Sequence, residues 1–176
     1  MNSKDKITYI SNWIKDYTLS INKNPTTLVI GVSGGVDSAL TSTLCALTGL
    51  KTIAVSMPIK QNSSQHDLSL RHLDFLKNKF PNVESKVVDL DNVFKTFQVA
   101  MQNFDSELAF ANSRSRLRMV TLYQIAQSNN GIVVGTGNKV EDFGVGFYTK
   151  YGDGGVDISP IADCTKSDVW ELAEEI

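Results

Sequence analysis

The sequence contains few of the residues that mark disulfide-bonded, zinc-binding or basic proteins. Its 176 residues include two cysteines, two histidines and four prolines, and Lys plus Arg (17) are outnumbered by Asp plus Glu (19). Cys45 and Cys164 are far apart and neither belongs to a Cys-x-x-Cys pair, so we expect reduced structural thiols in an intracellular protein. Their arrangement disfavours a zinc site and any thiol chemistry that needs paired cysteines.

Charge and hydropathy disfavour two further classes of protein. The net charge of −2 and an isoelectric point near 5.7 argue against a nucleic-acid-binding surface. No apolar run approaches the roughly 20 residues of a membrane-spanning helix, and the N-terminus lacks the apolar core of a signal peptide. We therefore expect a cytoplasmic protein with no membrane or nucleic-acid partner. With 41% apolar residues, residues 1–176 fit a single domain with a sizeable core.

The most informative stretch is glycine-rich and lies near the N-terminus. Residues 31–38 read Gly-Val-Ser-Gly-Gly-Val-Asp-Ser, follow a β-branched run and precede a helical pattern that stops at Gly49. A strand, a glycine turn and a helix start direct unpaired backbone N–H groups and the positive end of a helix at one point, which suits a phosphate group. Asp37 is acidic, so its place beside phosphates implies a bridging cation, for which Mg²⁺ is the usual choice.

This loop differs from the two common phosphate-binding motifs. It ends in Val36-Asp37-Ser38 where a Walker A loop has Gly-Lys-Ser/Thr, and it lacks the Gly-x-Gly-x-x-Gly spacing of dinucleotide folds. Ser-Gly-Gly-x-Asp-Ser between a strand and a helix resembles the pyrophosphate loop of the N-type ATP pyrophosphatases, which cleave ATP between its α and β phosphates. The loop alone does not choose among their NAD, GMP, asparagine, argininosuccinate and tRNA-modifying members, and a purely structural glycine turn is the alternative.

Hydrophobic periodicity predicts alternating helices and strands over the whole chain. This alternation indicates a doubly wound α/β fold, with a mainly parallel sheet, helices on both faces, and ligands outside the carboxyl ends of the strands. Predicted helices cover 4–21, a segment capped by Ser64 and Asp67, a broken helix over 91–104 and a helix that opens at Asn112. Predicted strands cover 27–30, 52–57, 86–90 and 131–136.

Two helical features leave alternatives open. The apolar stripe over 7–21 predicts packing against the sheet, with a dimer interface as the alternative. Arg114, Arg116 and Arg118 cannot all face a core, so they form either a solvated basic face or an anion site at a helix start.

A second constellation lies in residues 135–166, which are dense in glycine, charge and tyrosine. Loops of this length in a compact fold are usually functional. Glu141 and Asp37 could share one Mg²⁺, and Lys150 and Lys166 are candidates for countering phosphate charge.

The last predicted helix has a lysine where the helix dipole disfavours one. Thr165 and Asp168 predict a capping box that places Lys166 in the first turn. A cation is unfavourable at that end of a helix, so the position suggests that Lys166 faces a bound anion. A solvated lysine is the alternative.

Several blocks together resemble the ammonia-dependent NAD synthetase family, and the resemblance runs along nearly the whole chain. One departure is Ser115, where the family usually has alanine. The matching blocks are Asn112-x-x-Ser115-Arg116-x-Arg118-Met119, Gly135-Thr136-Gly137-Asn138-Lys139-x-Glu141, Thr149-Lys150-Tyr151-Gly152-Asp153-Gly154-Gly155-x-Asp157, Pro160-Ile161 and Thr165-Lys166.

The resemblance implies an adenine-nucleotide alpha-hydrolase-like fold and a role for each matching residue. Asp37, Glu141 and Lys166 would be catalytic, with Mg²⁺ on Asp37 and Glu141, and Asp153 would order the loop that contacts deamido-NAD. Arg116, Lys150 and Asp157 would contact deamido-NAD. ATP would be held by Gly31, Val32, Ser33, Gly34, Gly35, Val36, Asp37, Ser38, Thr136 and Lys166.

The implied reaction adenylates the carboxylate of deamido-NAD with ATP and then replaces AMP by free ammonia, giving NAD. The resemblance also implies a homodimer. The chain ends inside a predicted helix, where the family continues with a further segment, so we expect residues 1–176 to lack that segment. The alternatives are another ATP pyrophosphatase of the GMP synthetase type, or a nucleotide-binding protein without catalysis. A tRNA-modifying enzyme is disfavoured by the low basicity and the absence of cysteine pairs.

Overall fold

Within the described residues, four short strands form one parallel sheet. The computed structural model describes residues 1–22, 24–60 and 63–176. The strands are β1 (Thr27–Gly31), β2 (Lys51–Ser56), β3 (Val83–Val87) and β4 (Gly131–Val134). They lie side by side in the order β3-β2-β1-β4, with every pair parallel.

In the part of the chain that the structure describes, six α-helices and one short π-helix connect the strands and cover them. Among the described residues, no helix is long and apolar enough to cross a membrane. The helices are α1 (Ser3–Ser20), α2 (Val36–Leu47), α3 (Ser63–Lys79), α4 (Asp91–Ala100), α5 (Glu107–Ser128), the π-helix (Val140–Val145) and α6 (Lys166–Glu175).

The alternation of side chains along β1 divides the core into two layers. Leu28 and Ile30 face the layer that contains the buried side chains of α1, α2, α3 and α6. Val29 faces the opposite layer, together with the buried side chains of α4 and α5. Helices therefore cover both faces of a parallel sheet, and the predicted doubly wound α/β fold is confirmed.

The order of the strands reverses between β3 and β4. The chain lays down β1, β2 and β3 next to one another and then returns to pair β4 with the other side of β1. The register sets Ile30 beside Val134, so the segments that follow β1 and β4 leave the sheet together. In a doubly wound sheet, such a switch point opens a crevice at the carboxyl ends of the strands.

The predicted boundary of the third strand is wrong. β3 covers Val83–Val87 rather than 86–90, because it is an edge strand and its sequence does not form a continuous apolar run. Glu84 and Lys86 are both on this strand and form an ion pair at 2.6 Å. Charged residues are a common feature of edge strands, which they protect from pairing with other chains.

The helices on the second face also differ from the prediction. The sequence predicts a broken helix over 91–104, whereas α4 is continuous to Ala100 and buries Phe94. α5 begins five residues before Asn112, because the side chain of Ser106 caps it by accepting the backbone N–H of Ala109.

Two proposed helix starts are wrong as well. α3 begins at Ser63, so Ser64 lies inside the helix and is not an N-cap; the residue that precedes α3 is outside the described residues. Arg114, Arg116 and Arg118 lie in the interior of α5, which rules out an anion site at a helix start for them.

The apolar stripe of α1 packs into the core as expected. Ile10 and Ile14 are buried against the first core layer. Trp13 and Tyr17, on an adjacent side of the helix, stay partly exposed and stack on each other with ring centroids 5.5 Å apart.

Candidate active site

The loop that follows β1 is tied together by its own hydroxyl groups. Ser38 donates its hydroxyl hydrogen to the carbonyl of Gly35 at 2.9 Å and accepts the backbone N–H of Ser33 at 3.1 Å. The Ser33 hydroxyl in turn accepts the N–H of Gly35 at 3.2 Å. These bonds fix the loop at the N-terminus of α2, where unpaired N–H groups and the positive end of the helix favour an anion.

The two adjacent glycines of this loop have different surroundings. Gly34 has a φ of +92°, and a Cβ there would lie 2.4 Å from the backbone oxygen of Gln65 in the first turn of α3. At Gly35 the nearest atom to a Cβ would be the Ser33 hydroxyl oxygen at 3.4 Å. Only Gly34 therefore needs glycine for both its backbone conformation and its close packing.

A cavity of about 490 Å³ opens beside the loop at the carboxyl edge of the sheet. Residues that follow β1, β2 and β4 line it together with the inner side of α5. A second cavity of about 150 Å³ shares Ser33, Ser38, Thr136 and Asp153 with the first. The larger cavity has the size of a typical small-molecule site.

Three predicted site residues from distant parts of the chain meet beside the smaller cavity. The ammonium nitrogen of Lys166 lies 2.6 Å from Asp37 Oδ2 and 3.2 Å from Glu141 Oε1. Burial works against the charged form of Lys166, but the hydrogen bonds to the two carboxylates outweigh it and raise the pKa of the ammonium group. Lys166 is therefore cationic at neutral pH.

Asp37 and Glu141 fit a shared divalent cation. A single ammonium nitrogen already lies within reach of both side chains, and carboxylate oxygens are ligands that Mg²⁺ prefers. Within the described ranges, no group of three or more His, Cys, Asp or Glu side chains is arranged to hold a metal. Mg²⁺ at this position would therefore take its other ligands from phosphate and water, as it does in many nucleotide sites.

The start of α6 holds Lys166 in place, and the predicted capping box is present. The backbone N–H of Asp168 bonds to the Thr165 hydroxyl, and the Asp168 carboxylate accepts the Thr165 N–H at 3.0 Å. Lys6 of α1 adds an ion pair to the same carboxylate at 2.7 Å. Hydrogen bonds from Lys6 and Thr165 hold the pKa of Asp168 well below its usual range.

Glu141 lies on the π-helix, which the sequence does not reveal. The π-helix ends at Val145 and is followed by its C-cap residue Gly146, whose φ is +69°. Such helices occur mostly as short segments, and frequently at functional sites. The neighbouring Asp142 is partly buried, and desolvation together with the charges of Asp153 and Glu141 raises its pKa.

Of the three residues that the resemblance assigns to the dinucleotide, Arg116 and Lys150 are in contact, whereas Asp157 binds β4, and none of the three lines the larger cavity. Arg116 donates from Nε to the carbonyl of Lys150 at 3.1 Å, and the Lys150 ammonium lies 5.0 Å from the ring centroid of Tyr151. Asp157 accepts the backbone N–H of Val133 at 2.7 Å.

Asp157 also binds a tyrosine of α5. Its carboxylate accepts the hydroxyl hydrogen of Tyr123 at 3.0 Å. Burial, with the charge of Asp157, raises the pKa of Tyr123 to about 12. One oxygen of Asp157 thus fastens the loop to β4 and the other fastens it to α5.

Ser115 makes contacts that the sequence did not predict. Its hydroxyl donates to Asp153 Oδ1 at 2.6 Å and accepts the backbone N–H of Asp153 at 2.8 Å. Asp153 Oδ1 also accepts the N–H of Thr149, and the Thr149 hydroxyl donates to Asn112 Oδ1 at 2.8 Å. The only sequence signal was the departure from alanine at position 115.

Arg118 reaches the larger cavity, although the sequence assigned it no individual role. Its Nε donates to the carbonyl of Met57 at 3.0 Å, just beyond β2. Burial and the nearby charge of Arg114 lower the pKa of Arg118. Arg114 itself points elsewhere and lies 5.7 Å from the ring centroid of Phe94. The three arginines therefore have three different environments rather than forming one solvated basic face.

Comparisons with known proteins agree with this architecture. A family model described as NAD synthase matches residues 6–176. The NH(3)-dependent NAD(+) synthetase of Carboxydothermus hydrogenoformans is 36% identical over 98% of this chain and 70% of its own length.

Two solved structures superpose on nearly the whole chain. The structure of NMN synthetase from Francisella tularensis gives a TM-score of 0.89 at 34% identity, and the match covers 99% of this chain and 71% of that one. The NH3-dependent NAD synthetase from Campylobacter jejuni, solved in complex with the nitrate ion, gives 0.88 at 29% identity, with 99% and 73% covered. The family match and the fold agree over almost every residue, and the chain belongs to the NAD synthase family.

Proposed function

We propose that this chain is a ligase that amidates the nicotinate carboxylate of deamido-NAD with ammonia at the expense of ATP. In the first step a carboxylate oxygen attacks the α-phosphorus of ATP, and the bond to the bridging oxygen of pyrophosphate breaks. In the second step ammonia attacks the carbonyl carbon of the acyl-adenylate, loses a proton and displaces AMP. Relatives named as NH3-dependent NAD synthetases support this assignment.

The residues of the site supply positioning and charge rather than a nucleophile. The backbone N–H groups of 31–38 would bind the phosphates of ATP, with Thr136 at the cavity wall. Lys166 would neutralise charge that develops on the departing pyrophosphate. Asp37 and Glu141 would hold Mg²⁺, which supplies Lewis acidity and charge neutralisation when bound.

The acceptor would lie against α5 and the segment that follows the π-helix. Arg116 and Lys150 offer cationic groups near each other, and Asp157 fixes the same segment to β4. Asp153 would hold the loop in shape through its bonds to Ser115. These assignments follow the positions that match the motifs of the family.

The observation that carries the proposal is the meeting of Asp37, Glu141 and Lys166 within hydrogen-bond distance beside a cavity at the switch point. The three residues lie on α2, the π-helix and α6, so the fold itself brings them together. Two carboxylates and one ammonium group suit a metal-bound triphosphate, and they do not form a hydrolytic triad.

A second candidate acceptor is the deamido form of NMN. The similarity to the structure of an NMN synthetase favours it, since that match is as extensive as the match to the NAD synthetase from Campylobacter jejuni. Both acceptors carry the same nicotinate carboxylate, so the proposed chemistry is identical and only the binding of the remainder of the molecule differs.

The family resemblance also supports three statements about the whole protein. Residues 1–176 would act as one ATP-pyrophosphatase unit, the protein would be a homodimer, and it would be cytoplasmic. Light scattering coupled to size-exclusion chromatography tests the dimer. A mass equal to one chain at assay concentration would contradict it.

The experiment that tests the function measures pyrophosphate release and pyridine-nucleotide products in the same reactions. The protein is incubated with ATP, Mg²⁺ and deamido-NAD, with and without ammonium. Parallel reactions contain the deamido form of NMN, and others contain xanthosine monophosphate as a control acceptor. We expect pyrophosphate with deamido-NAD, and NAD only when ammonium is present.

Other results would change the assignment in different ways. Turnover of the mononucleotide in preference to deamido-NAD would select the second acceptor. Pyrophosphate release only with xanthosine monophosphate would contradict the family-based substrate. ATP binding without release of pyrophosphate from ATP in the presence of any of the acceptors would favour a nucleotide-binding protein without catalysis.

A further inference from the structure

Asn138 is a buried polar residue between the two carboxylates of the site. Its exposed fraction is 0%, although it lies in the segment that follows β4 at the edge of the crevice. A buried amide is costly unless its donors and acceptor are paired. The partners of Asn138 therefore show what its amide is used for.

The amide of Asn138 joins the two carboxylate-bearing segments. Its Nδ2 donates to Asp37 Oδ1 at 2.8 Å. Its Oδ1 accepts the backbone N–H groups of Val140 at 3.0 Å and Glu141 at 3.1 Å. One planar group thus touches the side chain of one carboxylate residue and the backbone of the other.

The bonds on Asp37 divide its two oxygens between two tasks. Oδ1 is held by Asn138, and Oδ2 accepts the Lys166 ammonium at 2.6 Å. Asn138 therefore turns the carboxylate so that Oδ2 points to the position that Glu141 also reaches. Rotation of the Asp37 side chain would break the bond to the amide.

The backbone beside Asn138 anchors this amide to the third element of the site. The N–H of Lys139 donates to the carbonyl of Cys164 at 2.9 Å, just before the start of α6. The carbonyl of Asn138 accepts the N–H of Asp142 at 3.1 Å, in the first turn of the π-helix. These two bonds fix the backbone around Asn138, so the amide keeps its position if the Asp37 side chain moves.

We propose that Asn138 is a positioning residue that sets the separation of Asp37 and Glu141, and thereby the affinity for a divalent metal in the presence of nucleotide. The inference rests on the proposed function only in taking these two carboxylates as metal ligands. Residues that orient metal ligands typically change metal affinity by about 10-fold to 100-fold when they are replaced.

The side-chain chemistry at this position accounts for the choice of asparagine. The asparagine amide carries its donor and its acceptor on separate atoms, so Nδ2 can donate to Asp37 while Oδ1 accepts the two backbone N–H groups. An aspartate would have the acceptor, but it would place a further negative charge beside Asp37. An alanine would leave both N–H groups and the Asp37 oxygen without this partner.

The test titrates Mn²⁺, a spectroscopic substitute for Mg²⁺, into protein saturated with α,β-methylene ATP and measures free Mn²⁺ by electron paramagnetic resonance. Asn138→Ala is expected to weaken Mn²⁺ binding by about tenfold. Affinity for the analogue in the presence of EDTA is expected to stay unchanged. The half-saturating Mg²⁺ concentration in pyrophosphate release should rise in parallel, with a smaller change in kcat at saturating metal.

Asn82→Ala is the matched control. Asn82 is a partly buried asparagine, and its Nδ2 donates to the carbonyls of Ala46 and Leu50, far from the crevice. This variant loses amide hydrogen bonds but should bind Mn²⁺ like the unaltered protein. If Asn138→Ala does not fold, Asn138→Ser provides the same measurement, because its shorter side chain does not reach Asp37.

The outcomes separate this inference from the proposed function. Equal Mn²⁺ affinity in the unaltered protein and the Asn138 variant would overturn the positioning role, while leaving the ligase proposal intact. Weaker binding in both the Asn138 and Asn82 variants would also overturn it, because the effect would then be general destabilisation. A failure of the unaltered protein to bind Mn²⁺ with the analogue would overturn both proposals.

Discussion

The two halves of the crevice are built differently. The half that we propose binds ATP, called the phosphate side below, consists of the loop 31–38 with Glu141, Asn138 and Lys166. The half that we propose binds the acceptor, called the acceptor side, is the segment 147–157 with the α5 residues that contact it. On the phosphate side, charged and amide groups from three separate elements bind one another. Asn138 is fully buried there, and the Asp37 side chain is 17% exposed. On the acceptor side, three exposed aromatic residues precede a glycine-rich turn, and a few hydrogen bonds fasten the segment to α5.

This difference follows from the tasks that the proposed reaction sets. Adenylation requires the triphosphate to be held in one geometry, and preorganised charge is most effective when it does not rearrange during the reaction. The acceptor must enter before each turnover and leave after it, so its half of the site needs bonds that open at low cost. Four substitutions test this division, and they are described from the largest expected effect to the smallest.

Asp37→Asn should have the largest effect, because it removes the charge of a proposed metal ligand and keeps its shape. We expect pyrophosphate release to fall by about a thousandfold, which corresponds to about 4 kcal/mol of transition-state stabilisation. Asp16→Asn, the same change at an exposed position of α1, should leave the rate unaltered. A loss below tenfold for Asp37→Asn would mean that this carboxylate is not a metal ligand.

Lys166→Met should lower kcat/KM for ATP by about a hundredfold, because the charge that faces the leaving pyrophosphate is lost. The same substitution should strengthen Mn²⁺ binding in the absence of nucleotide, since an ammonium group no longer occupies the position between Asp37 and Glu141. Electron paramagnetic resonance measures the second effect. Unchanged Mn²⁺ binding would show that the ion pair does not compete with metal.

Ser115→Ala tests the acceptor side and should have a moderate effect. Loss of the two hydrogen bonds to Asp153 should raise KM for deamido-NAD by about fivefold, equivalent to about 1 kcal/mol. KM for ATP should not change, because the phosphate side does not depend on this bond. Ser113→Ala, two residues earlier on α5, serves as the comparison, and an equal rise in both variants would contradict the prediction.

Asp168→Ala should change stability and hardly change the rate. Loss of the Asp168 half of the capping box, together with the Lys6 ion pair, should lower the free energy of unfolding by about 1 kcal/mol at neutral pH. The pKa of Asp168 is lower in the folded protein than in the unfolded chain, so its contribution is present above about pH 4 and is lost as the pH falls further.

Urea unfolding at pH 7 and at successively lower pH values measures this contribution. The difference between the unaltered protein and Asp168→Ala should shrink below about pH 4. Asp163→Ala, at an exposed position close by, should show no such difference. A gap that widens on acidification would mean that the carboxylate is not stabilised in its ionised form.

Local patterns in the sequence were sufficient to predict the architecture, but not the side-chain contacts between segments that are distant in sequence. The apolar runs predicted β1, β2 and β4, and Thr165 with Asp168 predicted the start of α6, since each depends on neighbouring residues. The predicted boundaries of the edge strand β3 were wrong because its charged residues interrupt the apolar pattern.

The contacts made by Asn138 and Ser115 depend on residues that are distant in sequence. The bond from Asn138 to Asp37 joins residues 101 apart, and the bond from Ser115 to Asp153 joins residues 38 apart. No periodicity or capping rule contains such pairs. The π-helix that contains Glu141 could not be predicted either, because the acidic and glycine-rich sequence around it is also typical of loops.

The unequal surroundings of Gly34 and Gly35 have a consequence for sequence variation. Gly34 has a positive φ and lies in close contact with the backbone of α3. Gly35 has a negative φ and room for a methyl group. In a library that samples every amino acid at both positions, the folded state should accept alanine or serine at 35 and reject them at 34. The two neighbouring glycines are therefore constrained differently: position 34 by the conformation and packing of the fold, and position 35 by the room that the proposed phosphate ligand leaves.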